Sequence, residues 1–254
     1  MKAGSIFGVT LAVFIILAGV VARAEQGSFA EEQRGKYLAA VGDCQSCHTA
    51  EGGKPFAGGR PVPTPFGVIY SPNITPDHET GIGTWSDEQF YRAMHGGVTP
   101  KGEQLYPAFP YPWFTKATRA DVDAIHAYLK DIPPVSQHRP ANKLPWPINE
   151  RIAMKAWNKL YFEPGTYKSD PQEDKTWNRG AYLVEGLGHC GACHTPTNLL
   201  GASKTSARYR GGTLDNWYAP DIASDLRRGL ANWSDDDIVS FLKTGRNGTT
   251  VAYG

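Results

Sequence analysis

The chain has 254 residues, a length that allows one or two domains. With 41% hydrophobic and 11% aromatic residues it can build a packed core, which excludes global disorder; 26 basic against 25 acidic residues leave no basic field for nucleic acid. Four cysteines in two short clusters exclude a disulfide-stapled miniprotein.

Residues 1–24 read as an export signal. Lys2 supplies the positive start, Ile6 to Val21 is an apolar run, and Ala22-Arg23-Ala24 offers a cleavage site before Glu25. The run is shorter than a spanning helix requires, so cleavage is expected rather than an uncleaved anchor. Ser28 with Glu31 has the pattern of a capping box that opens a helix toward Val41. The stretch 50–84 is rich in glycine and proline and is expected to be mostly irregular. Ser86 with Gln89 opens a helix through Met94. Thr118 with Asp121 precedes Val122, Ile125 and Leu129 at helical spacing. Residues 133–147 carry Pro133, Pro134, Pro140, Pro145 and Pro147 and read as a stiff linker, followed by a short helix around Arg151 to Leu160. Ser234 is placed to cap a last helix through Lys243. The fold class expected is mostly α, with short helices separated by long loops.

One pattern occurs twice. RGKYLAAVGDCQSCHT from Arg34 matches RGAYLVEGLGHCGACHT from Arg179. Tyr70-Ser71-Pro72-Asn73-Ile74 matches Tyr218-Ala219-Pro220-Asp221-Ile222, and Trp85-Ser86-Asp87 matches Trp233-Ser234-Asp235. So long a period means two copies of a domain rather than a solenoid. The copies are expected over 28–132 and 176–254, joined by the proline-rich segment 133–175 with its short helix. The second copy lacks a counterpart of the helix after Thr118, so it is expected to be incomplete and the sequence a fragment.

The chemistry sits in Cys44-Gln45-Ser46-Cys47-His48 and Cys190-Gly191-Ala192-Cys193-His194. C-x-x-C-H is the attachment motif of c-type haem. Two thiols one helical turn apart can form thioethers to the porphyrin vinyl groups, and the adjacent imidazole can bind the iron. Two other chemistries use C-x-x-C. A thioredoxin-like pair would follow a strand, and here it follows a helical stretch. A zinc site would need its second ligand pair close in sequence, and here the pairs are far apart. Neither explains the adjacent histidine. The proximal imidazoles are expected to donate their other N–H to backbone carbonyls, which the sequence does not identify. For the sixth position on the first iron, Met94 and His95 are the candidates, with water or an open position as alternatives.

The stretches FGVIYSPNITPDHETGIGTWSDEQFYRAM, LYPAFPY and RGAYLVEGLGHCGACHTPTN resemble the multi-haem cytochrome c subunits of membrane-bound periplasmic dehydrogenases. These include the cytochrome subunits of quinoprotein alcohol dehydrogenase and of flavin-dependent gluconate dehydrogenase. The resemblance implies tandem class I cytochrome c-type domains, typically three, with haem c in each. Two haems belong to this chain, and a third is expected in the full-length pattern. It implies electron transfer from a dehydrogenase catalytic subunit to ubiquinone or a terminal oxidase. The site would be the periplasmic side of the bacterial inner membrane. It also implies that the methionine for the second haem lies just past Gly254. The family pattern Y-P-A-M-P-Y stands here as Tyr106 to Tyr111 with Phe109 in the methionine's place. That departure motivates an alternative, a di-haem peroxidase-like enzyme with an open first haem.

Overall fold

A computed structural model of the chain describes residues 29–214, 217–224, 226–227, 229–248 and 250–252. The export signal expected over 1–24 and the Ser28 cap lie outside the described residues. Helices and a few two-stranded hairpins make up the regular structure, a mostly α protein. The chain divides between Gly188 and His189 into two compact units. Among the described residues no helix is long and apolar enough to cross a membrane.

In the first unit, α1 (29–41) crosses α5 (Arg119–Asp131) at Gly35. A Cβ on Gly35 would lie 2.0 Å from the Ala124 carbonyl oxygen, so the two backbones approach only because that carbon is absent. α3 (Asp87–Gly96) opens on a full capping box. Ser86 Oγ accepts the Gln89 N–H at 3.2 Å, and the Gln89 side chain accepts the Ser86 N–H at 2.9 Å. Thr118 Oγ1 caps α5 by accepting the Asp121 N–H at 3.2 Å. The core joins Leu38 of α1, Phe90 and Met94 of α3, and Val122, Ile125 and Leu129 of α5. Phe114, at the end of the short α4 (Tyr111–Phe114), completes it.

The stretch 50–84 is not wholly irregular. β1 (Pro61–Thr64) and β2 (Gly67–Tyr70) form an antiparallel hairpin with Pro61 opposite Tyr70. Pro61 and Pro63 are tolerated because an edge strand needs no outward N–H. The proline-rich segment that follows α5 is also ordered against this unit. Asn73 Nδ2 donates to the Val135 carbonyl at 2.6 Å, and Val135 N–H donates to Thr75 Oγ1 at 3.1 Å. Gln137 N–H donates to Thr80 Oγ1 at 2.9 Å, and Val68 and Lys143 exchange backbone bonds of 3.0 and 2.8 Å. Residues 133–143 therefore strap the loop after β2. α6 (Arg151–Tyr161) follows, docked by Met154 and by the Tyr111 hydroxyl, which donates to Asn158 Oδ1.

α7 (Lys175–Glu185) carries the second Arg-Gly-x-Tyr-Leu motif and packs in the first unit. Tyr182 OH donates to Asp121 Oδ2 at 2.6 Å and accepts the Thr118 N–H at 3.0 Å. Arg34 pairs with the other oxygen of Asp121, and Arg179 stands 3.7 Å from Oδ2. Both copies of the motif thus send their arginine to one buried carboxylate. His126 is also buried on α5. Its ring stacks on Phe90 at 4.4 Å and its Nδ1 donates to Asp87 Oδ1 at 2.8 Å. Its Nε2 has no hydrogen-bond partner among the described residues.

The second unit holds α8 (Cys190–His194), a 3-10 turn at Thr205–Ala207, and a hairpin of β3 (Gly212–Leu214) and β4 (Trp217–Ala219). α9 (Asp235–Thr244) opens on a capping box between Ser234 and Asp237, matching that of α3. β5 (Arg246–Asn247) and β6 (Thr250–Val251) pair after it.

The helix crossing separates two equivalent glycines. Gly35→Ala forces the α1 and α5 backbones apart and should cost about 1–3 kcal/mol. A Cβ at Gly180 of α7 meets no heavy atom within 4 Å. Gly180→Ala should be neutral or stabilise by up to about 1 kcal/mol through helix propensity. Urea midpoints of the two variants test the contrast.

His126 carries a pH dependence. Burial, reinforced by Lys130, holds it below the ordinary histidine value, with Asp87 and Asp123 opposing. The unfolded chain therefore takes up a proton that the folded chain refuses as the pH falls through about 6.5. This contribution to stability is complete above that pH and declines below it. His126→Phe should flatten that part of the stability–pH curve, read from urea midpoints between pH 5 and 8.

Candidate functional site

Each C-x-x-C-H motif begins at a residue forced into the left-handed region. Asp43 has φ 49° and His189 has φ 35°. Asp43 tolerates the conformation because its carboxylate accepts the Ser46 hydroxyl. The chain then makes one helical turn, α2 (Cys44–Cys47) in the first unit and α8 in the second. The two cysteines of each motif are three residues apart and share a face of that turn. In the first unit the turn closes with the His48 N–H donating to the Cys44 carbonyl at 3.0 Å.

The carbonyl partners of the two histidines are Pro72 and Pro220. His48 Nδ1 lies 2.8 Å from the Pro72 oxygen and His194 Nδ1 lies 2.7 Å from the Pro220 oxygen. A carbonyl oxygen only accepts, so each Nδ1 carries the hydrogen and each Nε2 keeps its lone pair free to bind a metal. The prolines occupy the same place in the repeated Ser-Pro-Asn and Ala-Pro-Asp segments.

Three further bonds recur. Gly58 N–H donates to the His48 carbonyl at 2.7 Å, and Gly211 N–H to the His194 carbonyl at 2.9 Å. Phe56 N–H donates to Thr49 Oγ1, and Tyr209 N–H to Thr195 Oγ1, both at 3.1 Å. Ile74 N–H donates to the Phe56 carbonyl, and Ile222 N–H to the Tyr209 carbonyl, both at 2.9 Å. Phe56 and Tyr209 have φ 62° and 64°, a conformation that costs a bulky residue about 1–3 kcal/mol. The same strain at the same place in both copies marks a loop shaped for a task.

Burial pushes the Cys44 thiol up to about 12, with Asp43 and Cys47 adding to the shift. Burial and Asp43 raise Cys47 against the opposing Arg60, and burial raises Cys190. Burial holds His48 below the ordinary histidine value, with its Pro72 bond opposing. The neutral imidazole is the form that binds iron. These thiols are protonated at neutral pH, the opposite of an activated redox cysteine or a zinc thiolate. Among the described residues no group of three or more His, Cys, Asp or Glu side chains is arranged to hold a metal ion by itself. The donor set fits a porphyrin held by thioethers, with its iron on Nε2.

Of the two residues named for the sixth position, Met94 packs into the core with 4% of its surface exposed. The repeat places Leu242 at the same position of α9, a side chain that cannot bind iron, but there it is exposed rather than packed. His95 stacks on Tyr91 at 5.0 Å, with the Tyr91 hydroxyl 3.3 Å from Nδ1; its counterpart in α9 is Lys243. Phe109 lies at the rim of the core with its ring 5.4 Å from that of Phe114. The sequence reading missed Pro72 and Pro220 as partners, and Thr49 and Thr195 as loop acceptors. Their signal was present in the matched segments around them. Of the aromatic residues near the repeated segments, Trp217 and Tyr218 are exposed on β4 and Trp85 packs against the core.

The cytochrome c family pattern matches residues 32–133. A nicotinate dehydrogenase subunit of Pseudomonas putida is 50% identical over 84% of this chain and 18% of its own length. The gluconate 2-dehydrogenase cytochrome c subunit of Pantoea cypripedii is 44% identical over 91% of this chain and 54% of its own. A protein described as dihaem cytochrome c-type, of Cereibacter sphaeroides, is 35% identical over 86% of this chain and 75% of its own. The chain thus spans about half the length of the gluconate relative and less of the nicotinate one.

A packing role for Met94 makes a simple forecast. Met94→Leu, which copies the second unit, should leave the ferric and ferrous spectra of the haem-loaded chain unchanged. It should cost less than about 1.5 kcal/mol of stability. Loss of a sulfur-to-iron absorption band in that variant would assign Met94 to the iron instead.

Proposed function

The chain belongs to the cytochrome c family, among the cytochrome c subunits of dehydrogenases, and on that premise we propose that it is an electron carrier with two covalent haems. Cys44 and Cys47 hold one haem, with His48 on its iron. Cys190 and Cys193 hold the other, with His194 on its iron. The observation that carries this reading is the duplicated bond from imidazole Nδ1 to a proline carbonyl. It leaves one unprotonated ring nitrogen in each motif for the iron.

Haem iron, when bound, supplies one-electron chemistry through its ferric and ferrous states. The chain's own residues do the rest. The cysteines fix the ring's orientation through two bonds on one edge. Pro72 and Pro220 hold the imidazole tautomer and make Nε2 more basic. The strained Phe56 and Tyr209 loops bind the threonine hydroxyl that follows each motif.

The relatives are named as dehydrogenase subunits, which supports a dehydrogenase catalytic subunit as electron donor. Ubiquinone or a terminal oxidase is the acceptor in this reading. The leader pattern at residues 1–24 supports export to the periplasmic side of the inner membrane, where the haems would be attached.

A pyridine haemochrome spectrum and intact mass of the chain exported from a host that matures c-type haem test the proposal. The expected result is two haems per chain, falling to one in Cys44→Ala with Cys47→Ala, and to one in Cys190→Ala with Cys193→Ala. A chain without covalent haem would overturn the reading.

A further inference from the structure

The histidine–carbonyl bond and the loop bonds around it recur in both sites, but one buried side chain beside them changes from neutral to charged. Asn73 and Asp221 each follow the proline whose carbonyl takes the histidine Nδ1–H. Both are buried, with 3% and 6% of their surface exposed. Each accepts the backbone N–H two residues on, Thr75 for Asn73 at 2.9 Å and Ala223 for Asp221 at 2.8 Å. Asn73 Oδ1 also accepts the Thr75 hydroxyl at 2.7 Å, for which Ala223 has no counterpart.

Their second polar atoms differ in kind. Asn73 is neutral, and its Nδ2 donates to Thr80 Oγ1 at 2.9 Å and to the Val135 carbonyl at 2.6 Å. Asp221 has no hydrogen to give. Its Oδ2 faces Arg210 Nη1 at 3.7 Å, and the Arg210 side chain is half exposed. A carboxylate held away from water sits next to the peptide that receives the His194 hydrogen bond. An arginine reached by solvent offsets part of its charge, and solvent screens that arginine more than it screens the buried carboxylate.

We propose that Asp221 is a positioning and charge-bearing residue that lowers the reduction potential of the haem on Cys190, Cys193 and His194, with Asn73 as its neutral counterpart at the first haem. A negative charge behind the proximal ligand polarises the Pro220 carbonyl. This strengthens its hold on the Nδ1–H and makes Nε2 a better donor. Both the field and the stronger donor favour ferric iron, which carries one more positive charge than ferrous iron. Asp221 acts on the oxidised–reduced balance and not on haem attachment. The inference rests on the two-haem reading above.

The test is a spectroelectrochemical titration of the exported, haem-loaded chain, after its haem content has been counted. Asp221→Asn installs the residue that the first unit already uses and keeps the acceptor for Ala223. It should raise one midpoint by about tenfold in the reduction constant, about 59 mV for a one-electron couple. The other midpoint should stay in place. Arg210→Gln leaves the carboxylate less compensated and should move the same midpoint the opposite way. The midpoint that moves should be missing from the Cys190→Ala, Cys193→Ala chain. Two haems with no shift in either variant, or shifts of the wrong sign, would overturn the role of Asp221. Failure to attach the second haem in the unaltered chain would instead overturn the functional reading beneath it.

Discussion

The hydrogen bond from imidazole Nδ1 to a proline carbonyl is the constraint around which each unit is organised. It decides which nitrogen of the ring is free, and that decides whether the motif can bind a metal. The bond demands a carbonyl in a fixed place, and a carbonyl cannot be moved without moving backbone. In the first unit the loop bearing Pro72 is therefore bound on several sides. Gly59 N–H donates to the Ser71 carbonyl at 2.9 Å, and Ile74 N–H donates to the Phe56 carbonyl. Gly58 lies so close that a Cβ would be 2.4 Å from the Pro72 carbonyl carbon, so the loop and its partner touch backbone to backbone. Residues 133–143 then close the outer side through Val135 and Gln137. The backbone strain at Phe56 persists because all of these bonds hold it at once.

What could be read from the sequence followed from the range of each interaction. The C-x-x-C-H motifs, the Ser86 and Ser234 caps and the spacing of Val122, Ile125 and Leu129 are local, and the structure has each of them where local rules put it. The histidine partner was foreseen as a carbonyl but not as Pro72 or Pro220, because a backbone oxygen leaves no mark on residue type. The sequence reads the strap as a linker for a similar reason. Its prolines do favour an extended chain, but that chain is fastened by bonds to residues some sixty positions away, such as Val135 to Thr75. Met94 was ambiguous because a thioether serves equally as ligand and as packing. Its burial in the core assigns it to packing, and burial of a single thioether is not written in residue type.

Duplication did not make the units equivalent. The first Arg-Gly-x-Tyr-Leu helix crosses α5 at Gly35. The second, α7, meets the same α5 through Tyr182 and Asp121 and leaves its Gly180 open. One carboxylate thus serves two copies of a motif, which ties the start of the second repeat to the first unit. Asp121 stays satisfied because it receives Arg34, Arg179 and the Tyr182 hydroxyl together. A buried carboxylate missing one of these partners would weigh against the fold.

The raised thiols have a consequence for the chain before it meets its cofactor. In an oxidising compartment, two cysteines three residues apart are at risk of closing on each other or on a foreign thiol. Disulfide formation and exchange run through the thiolate. Burial and Asp43 hold the Cys44 thiol well above the ordinary value, so little of its thiolate is present at pH 7. Asp43, which raises both Cys44 and Cys47, thereby slows their oxidation during the interval when they must stay reduced. The electrostatics that make these cysteines poor metal-thiolate ligands thus also act as a kinetic guard against their oxidation.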